Sequence, residues 1–346
     1  MPDTLPSNHR ILLARRPKGM PVPEDFTIAD GPVPVPGEGE ALVRTIWLSL
    51  DPYMRGRMSD VPSYAPPVGL GEVMEGECVG RVEASRAPGL APGDYVRGRG
   101  GWQSWFALPA DGLTRLDPQA APLSTSLGVL GMPGLTAYAA LQTIAHPAAG
   151  ETVVVGSASG AVGAVAGQLA KLGGCRVIGT AGGADKCRYV TDELGFDLCL
   201  DRHQPDLAGR LKEACPDGVD VYVELVGGDL FWAVLPLLNL HARIPVIGGI
   251  SWYNLERPPE GPDRTPQLMR AVLTRRLRVE GFLVPDHAGL APEFQRVVAP
   301  LVRSGRLRFK EDVVEGLENA PAALIGMLEG RNFGKLLVQV GPDPTR

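Results

Sequence analysis

Cysteine is scarce and poorly placed for bridging: Cys78, Cys175, Cys187, Cys199 and Cys215 form no CxxC pair and no Cys/His grouping at zinc-ligand spacing. An odd, scattered set supplies neither a disulfide framework nor a structural zinc site, so reduced, mostly buried thiols in a cytoplasmic protein are expected. Basic runs interleaved with aromatics are missing as well, and the formal charge is -5. With a pI near 5.6 the chain offers no electrostatic footprint for a phosphate backbone, and no nucleic-acid partner is expected. The start, MPDTLPSNHRILLARRP, carries only a four-residue apolar run, too short for a secretory signal, so the mature chain is expected to begin here. Between Asp117 and Lys171 the only charged residue is Glu151. Pro118, Pro122, Pro133 and Pro147 nonetheless interrupt any apolar span of about 20 residues, so no membrane partner is expected.

What is present is a chain of 346 residues, 44% hydrophobic and 21% charged, long enough for two globular domains. Its first third is rich in Gly and Pro and carries short apolar or alternating runs, at Ala41–Leu50, Glu77–Ala84 and Gly93–Gly100, which predict a compact β domain. After Gly150 strands and helices alternate. Strands are predicted at Thr152–Val155, Arg176–Gly179, Asp197–Leu200, Val219–Glu224, Arg243–Gly248 and Arg278–Leu283. Helices are predicted between them at Gly160–Leu172, Asp185–Leu194, Leu207–Ala214, Asp229–Leu238 and Pro266–Arg275. Parallel strands need crossover helices, so this order predicts an α/β doubly wound sheet of the nucleotide-binding kind. A further helix, Ala320–Leu328, and a last strand, Lys335–Val340, follow; periodicity alone leaves open which sheet that strand joins.

The first strand of the alternating region runs into TVVVGSASGAVG, Thr152–Gly163, a dinucleotide fingerprint with alanine at its first glycine: Ala158-x-Gly160-Ala161-Val162-Gly163. Gly160 would let backbone approach a pyrophosphate, and Gly163 would let the helix pack on the strand with its free N–H groups facing the anion. The alternative is that small residues here serve helix-on-sheet packing alone. The second strand ends in Ala181, Gly182 and Gly183 rather than in a carboxylate able to bind a ribose 2′-OH, and Lys186 follows. Together with Arg202 beyond the third strand, this pattern favours a 2′-phosphate and hence NADPH over NADH. Ordinary solvated charge remains the competing reading of both cations.

LSLDPYMRGRM (Leu48–Met58), GMPGLTAYAAL (Gly131–Leu141), SASGAVG (Ser157–Gly163), DKCRYVTDELGFD (Asp185–Asp197), VGGISWYN (Val246–Asn254) and GRNFGKLLVQV (Gly330–Val340) occur in this order. On these motifs the chain resembles the zinc-independent medium-chain dehydrogenases/reductases, the group of prostaglandin reductases, plant double-bond reductases and curcumin-reductase-like enzymes. The resemblance spans nearly the whole chain. It implies a GroES-like β-barrel catalytic domain from residues 1–127 and 308–346 around a Rossmann NADPH-binding domain at 128–307, and a homodimer. It also implies that Gly76, in Glu75-Gly76-Glu77, stands where zinc-dependent relatives carry a histidine ligand, so that no metal is bound.

The chemistry implied is NADPH-dependent reduction of the C=C bond of an α,β-unsaturated ketone or aldehyde, a small-molecule enone or enal. Tyr253 would donate a hydrogen bond to the enolate oxygen, and Tyr53 would line the substrate pocket; the competing reading of Tyr53 is a barrel-strand core aromatic. Carried over by position, Thr136 would lie near the nicotinamide and Gly248, Ile250, Ser251 and Tyr253 near the phosphates and ribose. Phe282, Leu283 and Val284 would run along the ring, with Asn332 at the carboxamide. The chain departs from the family pattern at Asp201-Arg202, which favours 2′-phosphate binding. It departs again at Glu224-Leu225, which removes a side-chain amide and weakens the case for a tight ribose site. The loop from Glu256 to Pro266 is read as a lid. Quinone reduction, or a non-catalytic NADPH sensor, are the alternatives.

Overall fold

The computed structural model describes residues 7–257 and 259–345. Met1–Pro6, at the start of the N-terminal stretch, and Pro258, in the loop read as a lid, lie outside them. Two compact units divide the chain: residues 1–128, 311–332 and 336–346 in one, residues 129–310 and 333–335 in the other.

The first unit opens with the antiparallel pair β1 (Ser7–Leu13) and β2 (Phe26–Pro32). β3 (Glu40–Ser49), β4 (Cys78–Ser85), β5 (Tyr95–Gly98), β6 (Trp105–Pro109) and β7 (Leu113–Leu116) follow, with the single helical turn α1 (Met54–Arg57) after β3. Alternation sets their inward faces. Val43, Leu48, Val82, Val96 and Phe106 are buried with Trp102 and Met74 in one apolar core, and burial of such side chains is the main stabilising term.

The second unit is laid out as the alternation predicts. Its strands are β8 (Thr152–Val155), β9 (Arg176–Ala181), β10 (Leu198–Asp201), β11 (Val219–Val223), β12 (Leu238–Val246) and β13 (Arg278–Gly281), in the parallel order β10-β9-β8-β11-β12-β13. The chain's winding reverses between β8 and β11, the switch point where doubly wound sheets bind ligands. β12 begins five residues earlier than expected. Its register against β11 shifts between Val219 and Val221, and His241 sits at φ 63°, so a bulge separates its first residues from the regular stretch that starts at Arg243.

Crossovers are α3 (Ala161–Leu172), α4 (Ala184–Arg188), α5 (Leu207–Ala214), α6 (Gly228–Val234) and α7 (Thr265–Arg275). Besides the single turn α1, two helices went unread: α2 (Met132–Ala140) and α8 (Ala291–Arg303). α2 is buried on nearly every side and has no charged face, so it lacks a 3.6-residue alternation. α8 carries Pro300 in its interior, where proline ordinarily breaks a helix.

The chain then returns to the first unit. β14 (Glu311–Glu315), α9 (Ala320–Leu328) and β15 (Lys335–Gln339) follow, and β15 pairs antiparallel with β3 in the order β14-β15-β3-β4-β5-β7, with β6 on β3. The last strand thus completes the GroES-like barrel. Among the described residues no helix is long and apolar enough to cross a membrane.

Candidate active site

The turn after β8 leads directly into α3. Ser157 takes a left-handed conformation, φ 50°, and its carbonyl accepts the Gly160 N–H at 2.9 Å, turning the chain into α3. Gly160 caps the helix in extended conformation and takes the first helical bond, from Ala164 N–H at 3.0 Å. Ala161, Val162 and Gly163 therefore fill the first turn, where amides have no intrahelical acceptor and the helix dipole favours negative charge. A Cβ at Gly163 would lie 2.4 Å from Ser157 O, and one at Gly160 2.9 Å from Ser157 Oγ, so both positions accept only glycine without movement.

The unusual alanine has a partner. Ala158 is fully buried, and its methyl faces Gly179 of β9, where an added Cβ would come within 2.7 Å. Volume moved from one position is removed from the other, which interior packing density requires.

The turn after β9 gathers cations. Gly183 has φ 98° and its N–H donates to Asp201 Oδ1 at 2.8 Å; the same oxygen accepts His203 N–H at 3.0 Å. These backbone hydrogen bonds, His203 first, hold the Asp201 carboxyl below the usual carboxylate range. Arg202 N–H donates to Ala181 O at 2.9 Å, and a Cβ on Gly182 would meet Arg202 Nε at 3.2 Å, so the guanidinium lies against the turn. Half-buried Lys186 stands in the first turn of α4, and Asp185 is paired with Arg188. Arg202 thus lies against this turn and Lys186 stands in the helix that follows it, and Asp201 has a structural task there that sequence reasoning missed.

At the ends of β11 and β12 two loops interlock. Glu224 is buried, and its Oε1 accepts the N–H groups of Val226 at 2.6 Å and Gly227 at 2.7 Å; burial raises its pKa. Leu225 and Val226 carbonyls in turn accept the N–H groups of Ile250 at 3.4 Å and Ser251 at 3.0 Å. Gly227, at φ 75°, leaves room for Trp252 and Ser251, and Gly248 leaves room for Tyr253, whose hydroxyl would be 3.2 Å from a Cβ there. Tyr253 is half-buried and Ser251 exposed. Gly248, Ile250, Ser251 and Tyr253 thus hang on a loop that Glu224 fixes. The sequence signal was an acid ending a buried apolar strand, first read only as a lost amide.

Thr136 is buried on α2, with its hydroxyl 3.5 Å from Met132 Sδ. Phe282 is buried too, stacked on His287 at 4.7 Å between ring centroids and packed with Ala139, Ala140 and Ile144. Its side chain is committed to the core, and half-buried Val284 packs against the same cluster, which leaves half-buried Leu283 as the side chain of that stretch outside it.

In the barrel unit Tyr53 sits on the turn into α1, not in a strand. Arg57 lies over its ring at 5.9 Å and pairs with Glu75 at 2.8 Å. Burial, then the carboxylates of Asp51, Glu75 and Glu77, raise the Tyr53 pKa, keeping the hydroxyl protonated as a donor. Gly76 packs against Leu48 and Trp102, where a Cβ would be 2.8 Å from Leu48 Cδ1, so no larger side chain fits without movement. Asn332 ends the 311–332 stretch of this unit. Among the described residues no three His, Cys, Asp or Glu side chains are grouped to hold a metal ion.

Residues 9–116 match a family described as the N-terminal domain of oxidoreductase, and residues 161–303 one described as zinc-binding dehydrogenase. The chain is 52% identical over 337 residues, 97% of its length and 98% of the relative's, to the NADPH-dependent curcumin reductase of Escherichia coli (strain K12). This chain belongs to the zinc-independent medium-chain dehydrogenase/reductase family. Within that family it is 40% identical over 343 residues to the 2-alkenal reductase (NADP(+)-dependent) of Nicotiana tabacum, covering 97% of this chain and 98% of that one. The solved structure of CurA in complex with NADPH from Vibrio vulnificus is 47% identical, with a TM-score of 0.94 over 96% of this chain and 99% of that one. The medium-chain reductase described here is an oxidoreductase.

Proposed function

We propose that this protein is an NADPH-dependent reductase of the C=C bond of small α,β-unsaturated ketones or aldehydes. The observation that carries the reading is the Tyr253 loop, fixed at the carboxyl ends of β11 and β12 beside the switch point of the sheet. The amides of Ala161, Val162 and Gly163 would take the pyrophosphate, and Lys186 with Arg202 the 2′-phosphate; the glycine cradle and the guanidinium against Gly182 fit these groups. Thr136, Gly248, Ile250, Ser251, Leu283 and Val284 would line the ribose and nicotinamide, with backbone rather than side chain at Phe282. Asn332 would serve the carboxamide. NADPH, when bound, supplies a hydride to the β-carbon of the enone.

The protein's own task is to stabilise the charge that collects on the substrate oxygen. Tyr253 donates its hydroxyl hydrogen to that oxygen, and such a preorganised donor is worth about 3 kcal/mol in the transition state. The α-carbon then takes its proton from solvent. Tyr53, held protonated, lines the substrate side. No Lewis-acid role is assigned to a metal, because Gly76 offers no side-chain ligand and a Cβ there would already crowd Leu48 and Trp102.

The unit at 129–310 is the nucleotide-binding domain in this reading and the barrel the catalytic domain, and the protein works as a cytoplasmic homodimer without nucleic-acid or membrane partners. Sedimentation at micromolar concentration tests the dimer: a single monomeric species would end that part of the proposal.

The activity is tested by following NADPH and NADH oxidation in parallel with 3-nonen-2-one and with a quinone. Enone turnover with NADPH is expected to dominate. Tyr253→Phe should lower kcat by about 100-fold with NADPH binding preserved. Normal turnover in Tyr253→Phe would remove the tyrosine from the mechanism, quinone preference would reassign the reaction, and tight NADPH binding without turnover would favour a sensor.

A further inference from the structure

Within the barrel unit a cavity of about 300 Å³ is lined by Arg10, Arg99, Asn8, Gln103, Pro34 and Phe106 among others. Among the described residues no Asp or Glu lines it, so its wall carries two guanidinium groups and no balancing charge. Arg10, on β1, lies flat over Gly31 of β2, where a Cβ would meet its Nη2 at 2.5 Å. That Nη2 donates to Asp30 O at 3.3 Å, while Nε is buried and has no hydrogen-bond partner. The neighbouring Asp30 carboxylate is engaged through Oδ1 by His9 Nδ1.

A charged donor buried without an acceptor is costly, and native proteins rarely tolerate one without a water, an ion or a ligand. Arg99, just beyond β5, is exposed and has no acid partner among the described residues. The amides beside the two arginines are already committed. Asn8 Nδ2 donates to Gln103 Oε1 at 3.0 Å, Gln103 Nε2 donates to Gly100 O at 2.6 Å, and Asn8 Oδ1 accepts Trp105 N–H at 2.9 Å. They form a fixed frame, and the open hydrogen-bonding capacity belongs to the guanidinium groups.

We propose that this cavity is a binding site for a small aromatic or branched monocarboxylate. A carboxylate matches the planar donor fork of arginine, and Pro34 and Phe106 give an apolar wall to its body. The inorganic anion phosphate shares the charge but not the apolar body, which distinguishes the two.

The test is calorimetric titration of the full-length protein with benzoate, benzamide and inorganic phosphate, with no NADPH turnover in the readout, so its result stands apart from that of the enone assay. Benzoate is expected to bind saturably, with benzamide and phosphate at least about tenfold weaker. Arg10→Gln and Arg99→Gln should each weaken benzoate about tenfold. Arg99 is exposed, so Arg99→Gln tests the site even where Arg10→Gln perturbs the β1–β2 pair; an unchanged Tm certifies its fold. Absent saturable benzoate binding, equal affinity for benzamide, phosphate bound as tightly as benzoate, or benzoate affinity unchanged in Arg99→Gln would each overturn the proposal.

Discussion

Single residues at the β11 and β12 ends act through one another. Gly248 is needed because a methyl there would press on the Tyr253 hydroxyl at 3.2 Å. Gly248→Ala should displace that hydroxyl by a fraction of an ångström and lower kcat for enone reduction about tenfold, since misplacement by 1 Å can cost about 100-fold. A steady-state comparison in which kcat falls while the Tm is unchanged would bear this out. Glu224 makes a second case. Glu224→Ala leaves the buried N–H groups of Val226 and Gly227 without their acceptor and should destabilise the protein by about 2–4 kcal/mol, whereas Glu224→Gln keeps an oxygen for them and should recover most of that loss in urea unfolding. Little of this was legible in the sequence. A buried acid's use depends on which backbone amides the fold turns toward it, and spacing along a strand does not reveal that.

Elements were legible where their periodicity was pure. The six strands and five crossover helices of the nucleotide sheet declare themselves through short β-branched runs and amphipathic stretches, and the sheet order follows from right-handed crossovers. α2 and α8 did not, one because it is buried on nearly all sides and the other because of Pro300. The phosphate turn shows how two elements share one constraint, since α3 approaches β8 only as closely as Gly163 permits. Gly163→Ala would put a methyl 2.4 Å from Ser157 O and push the helix start away. The expected result is an NADPH affinity at least about tenfold lower, with secondary structure intact by circular dichroism, as befits a backbone anion site. Unaltered NADPH affinity would detach the turn from cofactor binding.

For the whole molecule, pH acts through pairs that tie distant stretches together. Arg243 of β12 donates to both oxygens of Glu151, at 2.9 and 2.5 Å, and to Ala145 O at 2.8 Å, joining β12 to the segment that leads into β8. The Arg243 hydrogen bond lowers the Glu151 pKa in the fold. A depressed carboxylate pKa means that the unfolded chain binds the proton more tightly, so the contribution is present above the ordinary carboxylate range and disappears as pH falls through the folded value. Glu151→Gln should therefore lower unfolding free energy by about 1–2 kcal/mol at pH 7, with the difference closing in acid. A gap that persisted at low pH would assign the loss to something other than charge.

The sequence by itself determined the alternation of strands and helices, the fingerprint loop, the glycine turn after β9 that lacks a carboxylate, and, by resemblance, the family. All of these are local patterns, fixed by the periodicity of burial and by the backbone freedom that individual residues allow. Tertiary structure alone decided that β15 pairs with β3 in particular, that Ala158 is matched by the missing side chain of Gly179, and that Arg202 lies against Gly182. It also decided that Glu224 holds the loop from which Tyr253 hangs, and that Arg10 keeps a buried nitrogen without an acceptor. Each depends on residues far apart in the chain, where packing density and the cost of unpaired buried polar groups, rather than local propensity, decide.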